Sequence, residues 1–266
     1  MHAAQCHQAL GDPAQGLGAV VKLLQELGAV KGGAASALHG ADPALAQGDR
    51  ELRQEALAAL VDLYADVGAP HQASAFFERF VEPEQAAELV SRLADLHLER
   101  GQSKAALSLL DALAKSSSNP LDLLEIRIRL QRASTLVGDG GASLSRMEAA
   151  CATLKRADLA SGVDRQRLDK LRGELELEVF AQSSALYAES HGPESIDRVV
   201  RMLALHLDAF PESDRRSQVA FTLAQALERL GRQREALPLY LDVIELDPSG
   251  EQGALSRARV EALSKH

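Results

Sequence analysis

The chain is expected to fold as an all-α protein built from antiparallel helix hairpins stacked side by side. Three observations lead there. Alanine and leucine dominate nearly every segment, while aromatic residues make up 3% and tryptophan is absent. That composition suits helices packed closely together, whereas strands favour β-branched and aromatic residues. Valine and isoleucine never gather into a clean alternating run. Helix-length stretches are instead separated by very short breaks rich in glycine and proline.

The breaks fall at Gly11-Asp12-Pro13, Gly68-Ala69-Pro70, Gly101-Gln102, 116–120, 138–141, His191-Gly192-Pro193, Pro211-Glu212-Ser213-Asp214, Gly231-Arg232 and Asp247-Pro248-Ser249-Gly250. Glycine permits the left-handed residue that ends a helix, and proline is tolerated near a helix start. Breaks of this kind read as antiparallel helix–helix turns. Helices are predicted at about 3–10, 13–28, 49–67, 70–81, 84–100, 102–115, 120–137, 142–160, 164–190, 193–209, 214–230, 232–246 and 250–264. The stretch 31–49, KGGAASALHGADPALAQGD, fits no unit cleanly, and both a short helix between loops and a flexible insertion stand as readings of it.

The apolar residues keep register. In 217–248, Leu223, Leu227 and Leu230 line the first helix, Gly231 closes the turn, and Ala236, Tyr240, Val243 and Leu246 line the second before Asp247-Pro248. Leu60 and Tyr64 precede Gly68, with Ala73, Phe77 and Phe80 following. Leu93 and His97 precede Gly101, with Ala106, Leu110 and Leu113 following. Glycine to glycine and alanine to alanine, these two copies are 33 residues apart. A tandem period near 34 marks stacked helical hairpins, each leaving an apolar face open until a neighbour covers it.

These residues resemble the tetratricopeptide repeat. Its motif has a large–small apolar pair in the first helix, a glycine near the turn, an alanine and then an aromatic or large residue in the second helix, and a closing proline. The segment 217–248 matches through Leu223-Ala224, Leu227, Gly231, Ala236, Tyr240 and Pro248. The segment 54–84 matches through Leu60, Tyr64, Gly68, Ala73 and Phe77, and 87–120 through Leu93-Ala94, Gly101, Ala106 and Leu110, with its proline late. His2–Leu27 resembles a unit lacking the start of its first helix, with Gly16 where alanine is usual. The resemblance implies a right-handed superhelix, one TPR-like solenoid over 1–266, with clear repeats at 54–86, 87–120 and 217–250 and a partial one at 1–30. Residues 121–210 depart from the motif and read as irregular or extended hairpins.

The resemblance also implies a partner-binding surface on the first helix of each hairpin, at positions not used for packing. Here these are Glu55, Ala58, Ala59, Asp62, Ala65 and Asp66; then Glu88, Ser91, Arg92, Asp95, Leu98 and Glu99; then Gln218, Phe221, Thr222, Gln225, Glu228 and Arg229. The first two sets are acidic, and the third offers Phe221 as an exposed aromatic. An acidic wall suits a basic or amphipathic polypeptide segment. Family members that grip the acidic tails of chaperones place Lys, Asn and Arg at such positions. The matching places hold Glu55, Ala59, Asp62, Glu88, Arg92 and Asp95, so no such clamp is expected.

A net charge of −9 repels nucleic acid unless cations are concentrated, and only Lys155–Arg156 and Arg165–Lys170–Arg172 approach a cluster, each with acids close by. No stretch reaches the roughly 18 uninterrupted apolar residues of a membrane span. The N-terminus lacks a secretory pattern, so the cytoplasm is the expected compartment, with the periplasm the alternative if a signal segment has been removed.

Chemistry finds little footing. His2, Cys6 and His7 supply too few ligands for zinc. Cys151, between Met147 and Leu154, reads as a buried small hydrophobe. His97 occupies the packing position that Tyr64 holds one unit earlier, and His206 sits among apolar neighbours. Gly138-Asp139-Gly140-Gly141 lacks the Gly-Lys-Ser/Thr of a phosphate loop. Pairs such as Glu174/Glu178 are too common in an acidic helical chain to signal acid–base work. The expectation is a non-enzymatic scaffold, without cofactor or metal, that binds another protein within a complex. The alternatives are a structural segment of a longer repeat protein, a homodimerisation module formed through 121–210, and, last, an all-helical enzyme.

Overall fold

The computed structural model describes residues 12–27, 43–138 and 140–264. The expected helix at 3–10, the cluster of His2, Cys6 and His7, and most of 31–49 lie outside the described residues. Among the described residues the chain is all-α, with twelve α-helices, one short 3-10 turn and no strand. In order these are α1 (Pro13–Glu26), α2 (Pro43–Val67), the 3-10 turn Pro70–Gln72, α3 (Ala73–Phe77), α4 (Pro83–Glu99), α5 (Ser103–Ser116), α6 (Pro120–Val137), α7 (Gly140–Leu159), α8 (Arg165–Glu189), α9 (Pro193–Ala209), α10 (Arg216–Arg229), α11 (Gln233–Leu246) and α12 (Glu251–Leu263).

Local chemistry sets the boundaries. Proline opens α1, α4 and α9, where its missing N–H is one the helix would leave unpaired anyway. Asp12 accepts a hydrogen bond from the Gln15 N–H at 3.0 Å, and Asp164 accepts one from Arg167 at 3.1 Å, each satisfying an orphan donor of the first turn. Gly101 and Gly231 end α4 and α10 in the left-handed region, at φ 71° and 73°. There the N–H groups of Gln102 and Arg232 reach back to the carbonyls of His97 and Leu227 at 2.7 and 2.9 Å. Such a reversal satisfies carbonyls the helix leaves open and turns the chain antiparallel.

Gly68 is different: the sequence groups it with the turn glycines, yet its φ is not positive. A Cβ there would lie 2.3–2.5 Å from the ring of Tyr64, so glycine makes room for the aromatic ring. The expected continuous helix over 70–81 is also interrupted. Phe80 N–H bonds to the Phe77 carbonyl at 2.9 Å, a tighter turn that buries both Phe80 and Val81. Glu82 precedes Pro83 and is extended, as the proline ring requires.

The chain divides into two compact units, 1–118 with 133–138, and 119–132 with 139–266; α6 contributes to both. In the first unit α4 and α5 form a hairpin, α1 packs on α2, and α2 lies against α4. Tyr64, Phe76, Phe77 and Phe80 make its aromatic centre, with ring centroids 4.6 Å apart for Tyr64 and Phe76 and 5.3 Å for Tyr64 and Phe77. The Tyr64 hydroxyl donates to the Ala69 carbonyl at 2.9 Å, so the ring has a polar tether as well as an apolar bed.

In the second unit the residues expected to form irregular or extended hairpins make up α6 to α9, with α6 hydrogen-bonded to α7 and α8 packed on α9, followed by α10/α11 and α12. One core joins Leu124 and Ile128 of α6, Met147, Cys151 and Leu154 of α7, and Leu168, Leu171 and Leu175 of α8. A second joins Val199 and Leu203 of α9 to Leu223, Leu227, Ala236 and Tyr240. α7 touches α9, and α10 touches α12, so like helices of successive hairpins meet. Leu246, expected to line α11, is 47% exposed.

Gly68→Ala is expected to lower stability by about 1–3 kcal/mol, because the Tyr64 ring must move to admit a methyl group. Gly173→Ala, inside α8 where a Cβ meets nothing within 4 Å, is expected to raise it by roughly 0.5–1 kcal/mol. Urea denaturation midpoints measured side by side check both signs.

Candidate partner-binding surface

In the first unit, α2 and α4 are the leading helices of their hairpins and lie against each other. The inward residues Ala56, Leu60, Val61, Leu93 and Ala94 are buried to 2% exposure or less. Ala65, expected at the groove-facing surface, is buried as well, at 8% exposure. Glu55, Asp66, Glu88, Arg92, Asp95 and Glu99 are exposed and Asp62 is half-buried. Helical periodicity alone places these carboxylates in rows, since residues three and four apart share a face. Asp66 is engaged: it accepts from Arg100 at 2.6 Å, across one repeat. Glu55, Asp62, Arg92 and Glu99 have no such partner among the described residues.

The corresponding residues of the second unit are drawn into the chain's own packing. Phe221 is half-buried and meets Tyr240 edge-on at 5.9 Å, so it is less open than the exposed aromatic the sequence suggested. Gln225 accepts a hydrogen bond from the Tyr187 hydroxyl at 3.4 Å. The Arg229 guanidinium lies 5.3 Å from the Tyr187 ring and donates to the Ser190 carbonyl at 2.7 Å, pinning the end of α10 to the end of α8. Glu228 receives Arg259 at 2.6 Å and the Tyr240 hydroxyl. Burial pushes the Glu228 carboxyl upward, but the hydrogen bonds from Arg259 and Tyr240 outweigh it and hold the group below the usual carboxylate range.

Cys151, His97 and His206, weighed for chemistry, are packing residues. Cys151 is 1% exposed, and burial pushes its thiol up to about 12, the wrong direction for a nucleophile. His97 is buried, its Nδ1 hydrogen-bonded to the side chain of Gln102 across the turn. That contact has the same sequence span as the one from Tyr64 to Ala69 in the preceding repeat. His206 is fully buried between Phe180 and Phe210, with ring centroids 6.2 and 5.2 Å away. Neither of its ring nitrogens has a hydrogen-bond partner among the described residues. Among the described residues, no three His, Cys, Asp or Glu side chains are grouped to hold a metal ion, and no helix is long and apolar enough to cross a membrane.

A buried polar network escaped sequence reasoning. Gln131 Nε2 donates to Ser143 Oγ at 2.5 Å and to Gln182 Oε1 at 2.8 Å, and Ser143 donates to Gln182 at 2.9 Å, tying α6, α7 and α8 together. Gln131 follows Leu124 and Ile128 at the spacing of an apolar row. A polar residue in such a row was the available signal.

Residues 217–249, spanning α10 and α11, match the family model of the tetratricopeptide repeat. No curated protein matches the chain. Among solved structures, "MamA MSR-1 C2" matches with a TM-score of 0.36 and 16% identity, covering 74% of this chain and 98% of that one. BtubC (BKLC) from P. vanneervenii matches with a TM-score of 0.37 and 14% identity, covering 89% of this chain and 91% of that one.

Burial holds the pKa of His206 below the ordinary histidine value, with Glu176 pulling it up and Arg215 pushing it further down. The folded protein therefore takes the proton less readily than the unfolded chain. Stability is full above the unfolded histidine value, near 6.5, and falls as pH drops below it. His206→Leu is expected to match or exceed the parent's stability at pH 7.5 by roughly 1 kcal/mol, since the imidazole leaves polar atoms unpaired. Its melting temperature is expected to fall less than the parent's between pH 7.5 and about 5. Parallel calorimetric scans at the two pH values check it.

Proposed function

We propose that this chain is a non-enzymatic protein-binding scaffold. Its partner is a basic or amphipathic polypeptide segment, held on the face formed by α2 and α4. The observation that carries this reading is the juxtaposition of two leading helices whose outward residues include Glu55, Asp62, Asp66, Glu88, Asp95 and Glu99, against Arg92 and Arg100. Arg100 is already taken up by Asp66. Carboxylates in rows on a rigid surface raise the encounter rate with a cationic segment and disfavour an anionic one.

The apolar component lies between the acids. Ala58, Ala59 and Leu98 are half-buried, which leaves shallow hollows for the aliphatic side chains of an amphipathic helix or an extended segment. Repeat arrays lend themselves to this work because stacking orders the surface before the partner arrives, so less entropy is lost on binding. The match of 217–249 to the tetratricopeptide repeat supports the architecture and leaves the partner's identity to experiment.

Fluorescence anisotropy with a peptide of alternating lysine and leucine tests the reading. Tight, salt-sensitive binding is expected, weakened about tenfold or more when Asp62, Asp95 and Glu99 are neutralised together as D62N, D95N and E99Q. Asp66 is left alone because its pair with Arg100 joins neighbouring hairpins. Equal affinity for a glutamate–leucine peptide at this face, or unchanged affinity in the triple variant, would overturn the proposal.

A further inference from the structure

The outward side of α11 carries an exposed stripe. Ala236, Tyr240 and Val243 face the core and are 0% exposed, and the opposite side of the helix presents Arg234, Pro238, Leu241 and Glu245. All four are exposed, Leu241 at 46%. At spacings of four, three and four they follow one line along the helix, about 17 Å from end to end. Leu237, half-buried, borders that line beside Pro238. Neither Arg234 nor Glu245 has a hydrogen bond or ion pair among the described residues.

Helix chemistry does not account for the two charges. Arg234 stands in the first turn of α11, where the positive end of the helix dipole disfavours a cation. Glu245 stands in the last turn, where the negative end disfavours an anion. The first-turn acid, Glu235, is taken up by Arg232 at 2.6 Å and leaves Arg234 unanswered.

The order of the stripe is cation, apolar, apolar, anion, which is complementary to its own reverse. An antiparallel second copy of α11 sets Arg234 opposite Glu245 of that copy and Glu245 opposite its Arg234. Pro238 and Leu241 then face each other on both sides of a two-fold axis. A parallel copy would oppose like charges instead. Asp242, exposed one turn before Glu245, strengthens the negative end.

We infer that α11 is a self-association surface: two copies of this chain pair through antiparallel α11 helices, with Pro238 and Leu241 at the centre and an Arg234–Glu245 pair at either end. A self-complementary contact of this kind closes as a dimer and leaves no second stripe to propagate. One helical stripe falls short of the roughly 1,200 Å² that stable interfaces bury, so the dimer is weak, with a dissociation constant on the order of 100 µM. The surface lies in the second unit and uses no residue of the acidic α2–α4 face, so the two readings stand or fall separately.

Sedimentation velocity of the full chain between about 5 and 500 µM tests the inference. A monomer–dimer equilibrium is expected, with its dissociation constant raised about tenfold or more by Leu241→Glu, Arg234→Glu or Glu245→Arg. The two charge reversals suit the helix dipole, so their melting temperatures are expected to equal or exceed the parent's. Loss of association is thereby kept distinct from loss of fold. Combining Arg234→Glu with Glu245→Arg is expected to restore affinity to within about threefold of the parent, because each reversed charge again meets its opposite in the other copy. A monomer throughout that range, a dimer unchanged by Leu241→Glu, or a double reversal no stronger than the single ones would overturn the inference.

Discussion

Close approach of one helix to the next through alanine is the contact on which the remaining structure rests. Ala73, Ala106 and Ala236 stand at the same register position in three second helices, and each is 0% exposed. Ala56, Ala94 and Ala224 on the leading helices are buried to the same degree. A larger side chain at any of these places would separate helices whose neighbours are already in van der Waals contact, and dense interiors do not absorb such volume cheaply. The spacing that alanine permits decides which residues of each leading helix remain outside. It also sets which polar groups of successive hairpins can reach one another.

Those polar contacts give the stack its register. Arg100 reaches Asp66, Arg229 reaches the carbonyl of Ser190, and Arg259 reaches Glu228, each joining one leading helix to a neighbour close to a repeat away. Exposed ion pairs of this kind add little stability. Their consequence is for recognition, because a charge satisfied within the chain is a weaker attractor for a partner. The second unit carries this furthest. Gln225, Glu228 and Arg229 all hold neighbouring helices, and Phe221 leans on Tyr240. In the first unit, Asp66 is engaged by Arg100, while Glu55, Asp62 and Glu99 remain open.

Charge is distributed unevenly beneath the overall negative balance. Acids predominate on the outward positions of α2 and α4, whereas Arg132 of α6 and Arg167 of α8 are each answered by acids of the facing helix. The buried Gln131–Ser143–Gln182 network fixes α6, α7 and α8 against one another, so these helices are held by hydrogen bonds as well as by apolar packing.

Much of the architecture was legible in the residues themselves. The bounds of the helices at 120–137 and 193–209 agree with the structure, and most others differ by a residue or two, because capping, proline placement and helical periodicity are local properties. The inward rows built on Leu60, Leu93 and Leu223 followed from the same periodicity. Tertiary packing decided the rest. Gly68 proved to accommodate a ring, Phe221 was half-covered, and Arg132 and Arg167 met acids of a facing helix. Each of these outcomes depends on the distance and angle between helices far apart in the chain, and spacing along a single helix carries no information about either.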